Sequence, residues 1–324
     1  MGMKRYVVRR VAGTILAYLV VATIIFFLFR QVGDPLAVYA AADMSPGQLS
    51  KVRETFGLGQ PLYVQYLKYM RNVVTLQFGI SFFYMTDVRP IVLENLLNSL
   101  LLTVPSLIIA YIVAIFGGVV LAWKKDEPIE DVGLVTAIFF RSAPRFWVGL
   151  VLLFVFAGVL PWFPAGGILS PGASIKSHYQ LLLNPDFYRH AILPILSMTL
   201  YLIGLPLLLM RTSMLEIIEA DFVDILRAKG MTETDVMYKH VARNALLPVI
   251  TAFAIAIGYS FGGNVLVETV FSYPGVGRLM VSSVLQGDYP MAQAAFLVMA
   301  GMVLIMNLIA DLAYGVLDPR VKYD

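Results

Sequence analysis

The chain contains no cysteine, which excludes disulfide frameworks, thiolate metal sites and thiol catalysis. Histidine is nearly as scarce. His178, His190 and His240 are the whole complement, and no two stand at metal-ligand spacing, so no metal site is expected. Charged residues make up only 14% of the chain and the net charge is +3, with no Lys/Arg-rich run interleaved with aromatics. Nucleic acid is therefore not an expected partner. There is also no G-x-x-x-x-G-K-[ST] stretch to cradle phosphates, so the chain carries no P-loop chemistry of its own. What is abundant is apolar: 59% of residues are hydrophobic and the mean hydropathy is +0.78. These values describe an integral membrane protein.

A helix needs about 20 apolar residues to cross the hydrocarbon core, because its backbone must satisfy itself there. Six stretches qualify, at about 11–30, 98–123, 133–160, 191–211, 246–268 and 291–316. The expected fold is all-α with six transmembrane helices. Residues 1–30 hold the N-terminal segment and first span, 31–97 a connecting region, and 98–324 a core with the other five spans. The third stretch is longer than one span requires, and Pro144, between Arg141 and Arg145, predicts a kink or a two-part helix. Lys4, Arg5, Arg9 and Arg10, then Lys124 and Lys125, then the charged fourth connection, then Arg320 and Lys322 all fall on one side. The positive-inside rule makes that side cytoplasmic, with both termini, and makes 31–97 external. Within this external region, Pro61 opens an amphipathic pattern of Leu62, Tyr66, Leu67, Met70, Val73 and Val74. A small external cap with an amphipathic helix is the economical reading, and an interfacial helix lying on the bilayer is the alternative.

The fourth connection, 212–248, carries the most structured signal. Ala220, Val223, Leu226 and Ala228 form a helical stripe, with Asp221, Asp224, Arg227 and Lys229 off it. Gly230 supplies the left-handed cap that ends this helix. Thr232 then reads as the N-cap of a second helix, with Asp235 three residues on in a capping-box position. Pro248 opens the next span. A plain solvated loop is the simpler reading of the same residues.

Other candidates carry competing accounts. Asn264 and Glu268, at the outer end of the fifth stretch, either line a passage or anchor the following Pro274-Gly275 turn. Arg141 and Arg145 read as interfacial anchors, and Trp123, Trp147 and Trp162 as an aromatic belt. Gly258-Tyr-Ser-Phe-Gly262 matches G-x-S-x-G, but a nucleophile elbow needs a strand leading into a helix, and this motif lies in an apolar helical stretch. Glycines 258, 262 and 263 are more simply close-packing positions. An intramembrane serine hydrolase with His190 as base, and an ion-driven secondary transporter, are the rival classes. The second would show mid-span acids or inverted repeats, and neither is evident.

Arg211-Thr-Ser-Met-Leu215, Asp221-Phe-Val, Arg227-Ala-Lys-Gly230, His240 and Arg243-Asn-Ala-Leu-Leu-Pro248 resemble the cytoplasmic loop of the dipeptide/oligopeptide/nickel class of ABC importer permeases. Phe56–Leu67, His190–Pro194, Gly262–Leu279, Asp288-Tyr-Pro290 and Leu317-Asp-Pro-Arg-Val321 extend the resemblance over nearly the whole chain, in the manner of the B-type member of the paired permeases. The resemblance implies a type I importer architecture in a prokaryotic plasma membrane. It implies a second homologous permease, two ATP-binding subunits that hold ATP and Mg, and a solute-binding protein as partners. This chain itself is then no enzyme and holds no cofactor. Asp221, Asp224, Ala228, Lys229, Gly230, Met231 and Thr232 would meet the ATPase, with Arg243 and Asn244 holding the loop to the next span. Di- or oligopeptides are the implied solutes, oligosaccharides the runner-up. One departure stands out: Asp224-Ile225-Leu226 replaces the Arg-Thr-Ala common in the family, which changes the charge of the helix expected to meet the ATPase.

Overall fold

The computed structural model describes residues 3–31, 47, 50, 59–173, 177–260 and 264–317, and these are helical with one isolated β-bridge, Ile80 to Asp87. Gly262, Gly263, the Leu317–Val321 ending beyond its first residue, and the first half of the 31–97 connection lie outside the described residues. The elements are α1 (Met3–Gln31), α2 (Leu62–Thr75), α3 (Val88–Trp123), α4 (Pro128–Ser142), α5 (Arg145–Leu153, extended by a π-helical turn Phe154–Val159), α6 (His178–Leu183), α7 (Pro185–Ile218), α8 (Asp221–Ala228), α9 (Glu233–Asp235), α10 (Ala242–Ser260), α11 (Val265–Val270), α12 (Val276–Leu285) and α13 (Tyr289–Leu317). Five helices are long and apolar enough to cross a membrane, and a sixth crossing exists if α4 and α5, bent by 105°, count as one broken span.

α3 and α7 form the central pair. Asp87 caps α3 by accepting from the Arg89 amide at 2.8 Å, and Asn184 caps α7 at the Asp186 amide, with Pro185 in the first helical position. Each long helix contains proline, Pro105 in α3 and Pro194 and Pro206 in α7. Ser106 bonds the Ile195 carbonyl at 3.3 Å and Thr199 the Ser106 carbonyl at 3.4 Å, tying the two helices together beside Pro105. In a lipid-facing bundle such hydroxyls re-satisfy backbone that proline disturbs.

Two boundaries and one helix face differ from the sequence reading. α3 starts at Val88 rather than near 98, because Val88 and Val92 bury into a cluster with Ala22 and Phe26 of α1 and Met291 and Ala295 of α13. α2 forms where expected, but Gln65, Tyr69 and Val73 are its buried positions, and Leu62, Leu67 and Val74 face outward. Its inner face packs on α1, where the Tyr66 hydroxyl meets Thr23 Oγ1 at 2.9 Å. α10 ends at Ser260, so Glu268 sits not in the fifth span but in the separate α11.

Candidate functional site

Two joints hold the residues singled out from sequence. The first joins α8 to α9. Gly230 takes φ +78, and its amide bonds the Arg227 carbonyl while the Met231 amide bonds the Leu226 carbonyl. This pair of bonds is a Schellman motif, which requires a left-handed residue at that point. Thr232 then caps α9, accepting from the Asp235 amide at 3.2 Å and donating to Asp235 Oδ2 at 3.0 Å. Both caps are therefore where the sequence placed them. Pro248 does not open a new helix, however. From α9 the chain passes through a π-helical turn, Val236–Val241, straight into α10, with Pro248 inside it. The second half of the loop and the fifth span are one rod.

The joint is fixed from its inner side by apolar packing. Val223, Val236 and Val241 are fully buried with Met210 and Met214 of α7, and Met231, Leu226 and Trp123 pack against them. Arg243 and Asn244 are both exposed, and the Asn244 amide bonds the His240 carbonyl of the π-helical turn, 2.9 Å away. A valine cluster fastens the joint because the α8 stripe needs a dry partner, and α7 supplies it.

The outer face of α8 and the turn carries Asp221, Asp224, Ala228, Lys229 and Gly230, all exposed, with Thr232 beside them. Asp224 pairs with Arg227 at 3.3 Å, and Arg227 reaches across the turn to Glu233 at 3.1 Å. The altered charge at position 224 thus has a partner within the joint. Sequence reasoning missed Phe222 and Ile225, which are 37% and 55% exposed on this face. Their signal was their position off the buried stripe. Two bare apolar side chains among charges give the surface something to desolvate against a partner.

The second joint, between α11 and α12, is closed. Glu268 is 1% exposed; Ser99 Oγ donates to its Oε1 at 2.6 Å and the Arg278 amide to its Oε2 at 2.9 Å. Ser99 also accepts from the Val276 amide at 2.9 Å, and Asn98 Nδ2 donates to the Pro274 carbonyl at 2.9 Å. Gly275 packs against the carboxylate so closely that a Cβ there would lie 2.2 Å from its Cδ. Burial pushes the Glu268 carboxyl up, and the Ser99 hydroxyl and the Arg278 and Gly277 amides pull it back. Asn264 is buried too and donates to Thr103 Oγ1. The cavity beside these groups measures about 10 Å³, too small for any solute. The anchoring account of Glu268 therefore fits the geometry, and the passage account does not.

The other residues singled out from sequence can be placed as well. Ser260 is buried and its hydroxyl bonds the Ala256 carbonyl of α10 at 2.6 Å, while His190 bonds the Asp186 carbonyl of α7 at 2.9 Å, so each is engaged within its own helix. At Gly258 a Cβ would lie 1.7 Å from Asn307 Oδ1, which makes it a close-packing position against α13. Arg141 and Arg145, expected as interfacial anchors, lie beside Gly204 and Tyr201 in the middle of α7, and the Trp147 ring packs near Phe139. Among the described residues, no group of three or more His, Asp or Glu side chains could hold a metal ion.

Comparison with known proteins fits this architecture. Residues 114–323 match the family described as binding-protein-dependent transport system inner membrane component, and residues 3–100 match its companion N-terminal family. The chain belongs to this family of ABC transporter permeases. It is 36% identical over 324 residues to an oligopeptide transport system permease protein of Bacillus subtilis, covering 99% of this chain and 100% of that one. A putative peptide permease protein of Brucella suis is 35% identical over 95% of this chain and 96% of its own length. A glutathione transport system permease protein of Escherichia coli is 32% identical over 99% and 100%.

Proposed function

We propose that this chain is one of two homologous permeases of a type I ABC importer in a prokaryotic plasma membrane, moving di- or oligopeptides by alternating access. Both termini and the α8–α9 joint face the cytoplasm, as the Lys and Arg distribution requires. Two ATP-binding subunits hold ATP and Mg and dock on the joint. A solute-binding protein delivers the peptide from outside, to the face that carries α2. Relatives named for oligopeptides, peptides and glutathione support the peptide class, since glutathione is itself a tripeptide.

One observation carries the coupling role. The joint is rigid on its inner side, capped at both helices, continuous with the α10 span, and bare on its outer side at Asp221, Phe222, Ile225, Ala228 and Lys229. A force applied to that face reaches the membrane through one rod rather than a slack loop. Closure of the ATPases can then shift the bundle between two states. The test is a complex reconstituted with its ATPases, partner permease and binding protein. Charged substitutions at Phe222 and Ile225 are expected to abolish solute-stimulated ATP hydrolysis. Retained stimulation in an assembled complex lacking Glu219–Thr232 would refute the role. Uptake driven by a proton or sodium gradient through this chain alone would favour a secondary transporter.

A further inference from the structure

The broken span places two arginines where a membrane protein rarely tolerates them. Along α7, Arg189 and Arg211 lie 22 residues apart (211 − 189), about 33 Å at 1.5 Å per residue, which matches a hydrocarbon core of roughly 30 Å. Arg211 pairs with the buried Glu130 at one end, and Asp186 and Arg189 mark the other. Gly204 is 7 residues from Arg211, about 10 Å inward, and Tyr201 is 10 residues, about 15 Å inward. Arg141 lies against the first: a Cβ on Gly204 would sit 2.7 Å from Arg141 Cβ. The Arg145 guanidinium lies 3.9 Å from the ring centroid of the second.

Neither has a carboxylate partner among the described residues. At the end of the span, by contrast, Arg211 is paired with Glu130. Arg141 is also exposed on this chain. A bare guanidinium facing lipid at this depth is strongly disfavoured, so this face must meet a polar cavity or a partner. The break itself supplies the setting, because Pro144 lacks an N–H, the helix turns by 105°, and discontinuous helices at mid-depth are where transporters place solute groups. Phe139 and Trp147 flank it with exposed rings 6.2 Å apart, apolar walls beside the two cations. Stacking on Tyr201 holds Arg145 by its face and leaves its N–H edge able to donate.

We propose that Arg141 and Arg145 form an anion subsite in the α4–α5 break that receives the terminal carboxylate of the transported peptide. This rests on the peptide reading above. The carboxylate is the one anion that peptides share whatever their side chains, so a subsite for it suits a path that must pass many sequences. Arginine binds it bidentately at little cost in pre-ordering.

The test uses the whole transporter in proteoliposomes, with saturating binding protein loaded with one peptide as its free acid or its C-terminal amide. Wild type should transport the acid faster. Arg141→Gln should lower the rate for the acid by about tenfold, the loss of one charge-assisted hydrogen bond, and leave the amide unchanged. Arg141→Lys, which keeps the charge, should give an intermediate acid-to-amide ratio, and it serves if the Gln variant fails to assemble. Equal losses for acid and amide in Arg141→Gln would assign the arginine to a carboxylate of the partner permease and overturn the proposal. A wild type indifferent to amidation, or a wild-type ratio in Arg141→Lys and Arg145→Lys alike, would overturn it as well. Transport of neither peptide form, with ATP hydrolysis stimulated by an oligosaccharide instead, would sink the peptide reading itself.

Discussion

The α8–α9 and α11–α12 joints are both short helix–turn–helix corners with glycine at the bend and acid nearby, yet they do opposite things. In the first, Asp221 and Asp224 stand in solvent and the fastening is apolar, through Val223 and its cluster. In the second, Glu268 is the fastening: buried, it gathers Ser99 from α3 and the amides that open α12. An acid buried at 1% exposure and held by two amides and a hydroxyl is closed off from a moving solute. An acid left outside on a rigid corner is available to a partner. Burial, not residue type, separates the structural carboxylate from the exposed ones proposed for docking.

Substitutions can break that contrast, and the largest effect belongs to the closed joint. Glu268→Ala leaves the Arg278 amide and Ser99 hydroxyl without their acceptor, a cost of about 3 kcal/mol or more. It should lower the thermal midpoint of the detergent-solubilised complex by several degrees. Ser99→Ala removes one arm of the same knot and should cost about 1 kcal/mol in the same melting experiment. A midpoint unchanged by both would show that the carboxylate is not the fastening. Gly230→Ala forces a side chain into a positive φ at about 1 kcal/mol, but a Cβ there meets nothing within 4 Å. Its larger consequence should be functional: solute-stimulated ATP hydrolysis falls far more than in Ser99→Ala, although the two lower the melting midpoint by similar small amounts. Smallest of all, Asp224→Asn removes an exposed pair with Arg227, and its midpoint should be indistinguishable from wild type. A clear destabilisation would mean that the outer face also holds the joint together.

What was legible in the sequence follows the range of the forces involved. Gly230 and Thr232 were readable because a cap is decided within a few residues. The break at Pro144 was readable as a kink for the same reason. Its depth was not, since Arg141 and Arg145 acquire their position only by packing on Gly204 and Tyr201, some sixty residues away in sequence. Glu268 posed the same difficulty: Ser99, which decides its role, lies 169 residues earlier. The continuity of α9 with α10 was hidden by Pro248, a breaker in soluble helices that a membrane helix accommodates. Phe222 and Ile225 were hidden by the polar residues around them.

In the proposed importer, the outer face of α8 is where the ATPase grips this chain. The absence of cysteine makes a direct measurement simple. Ile225→Cys, labelled with a photoactivatable crosslinker in the assembled transporter, should form an adduct with an ATP-binding subunit, and Leu285→Cys on the exposed end of α12 should not. A complex that hydrolyses ATP in response to solute yet gives no adduct from position 225 would contradict the account.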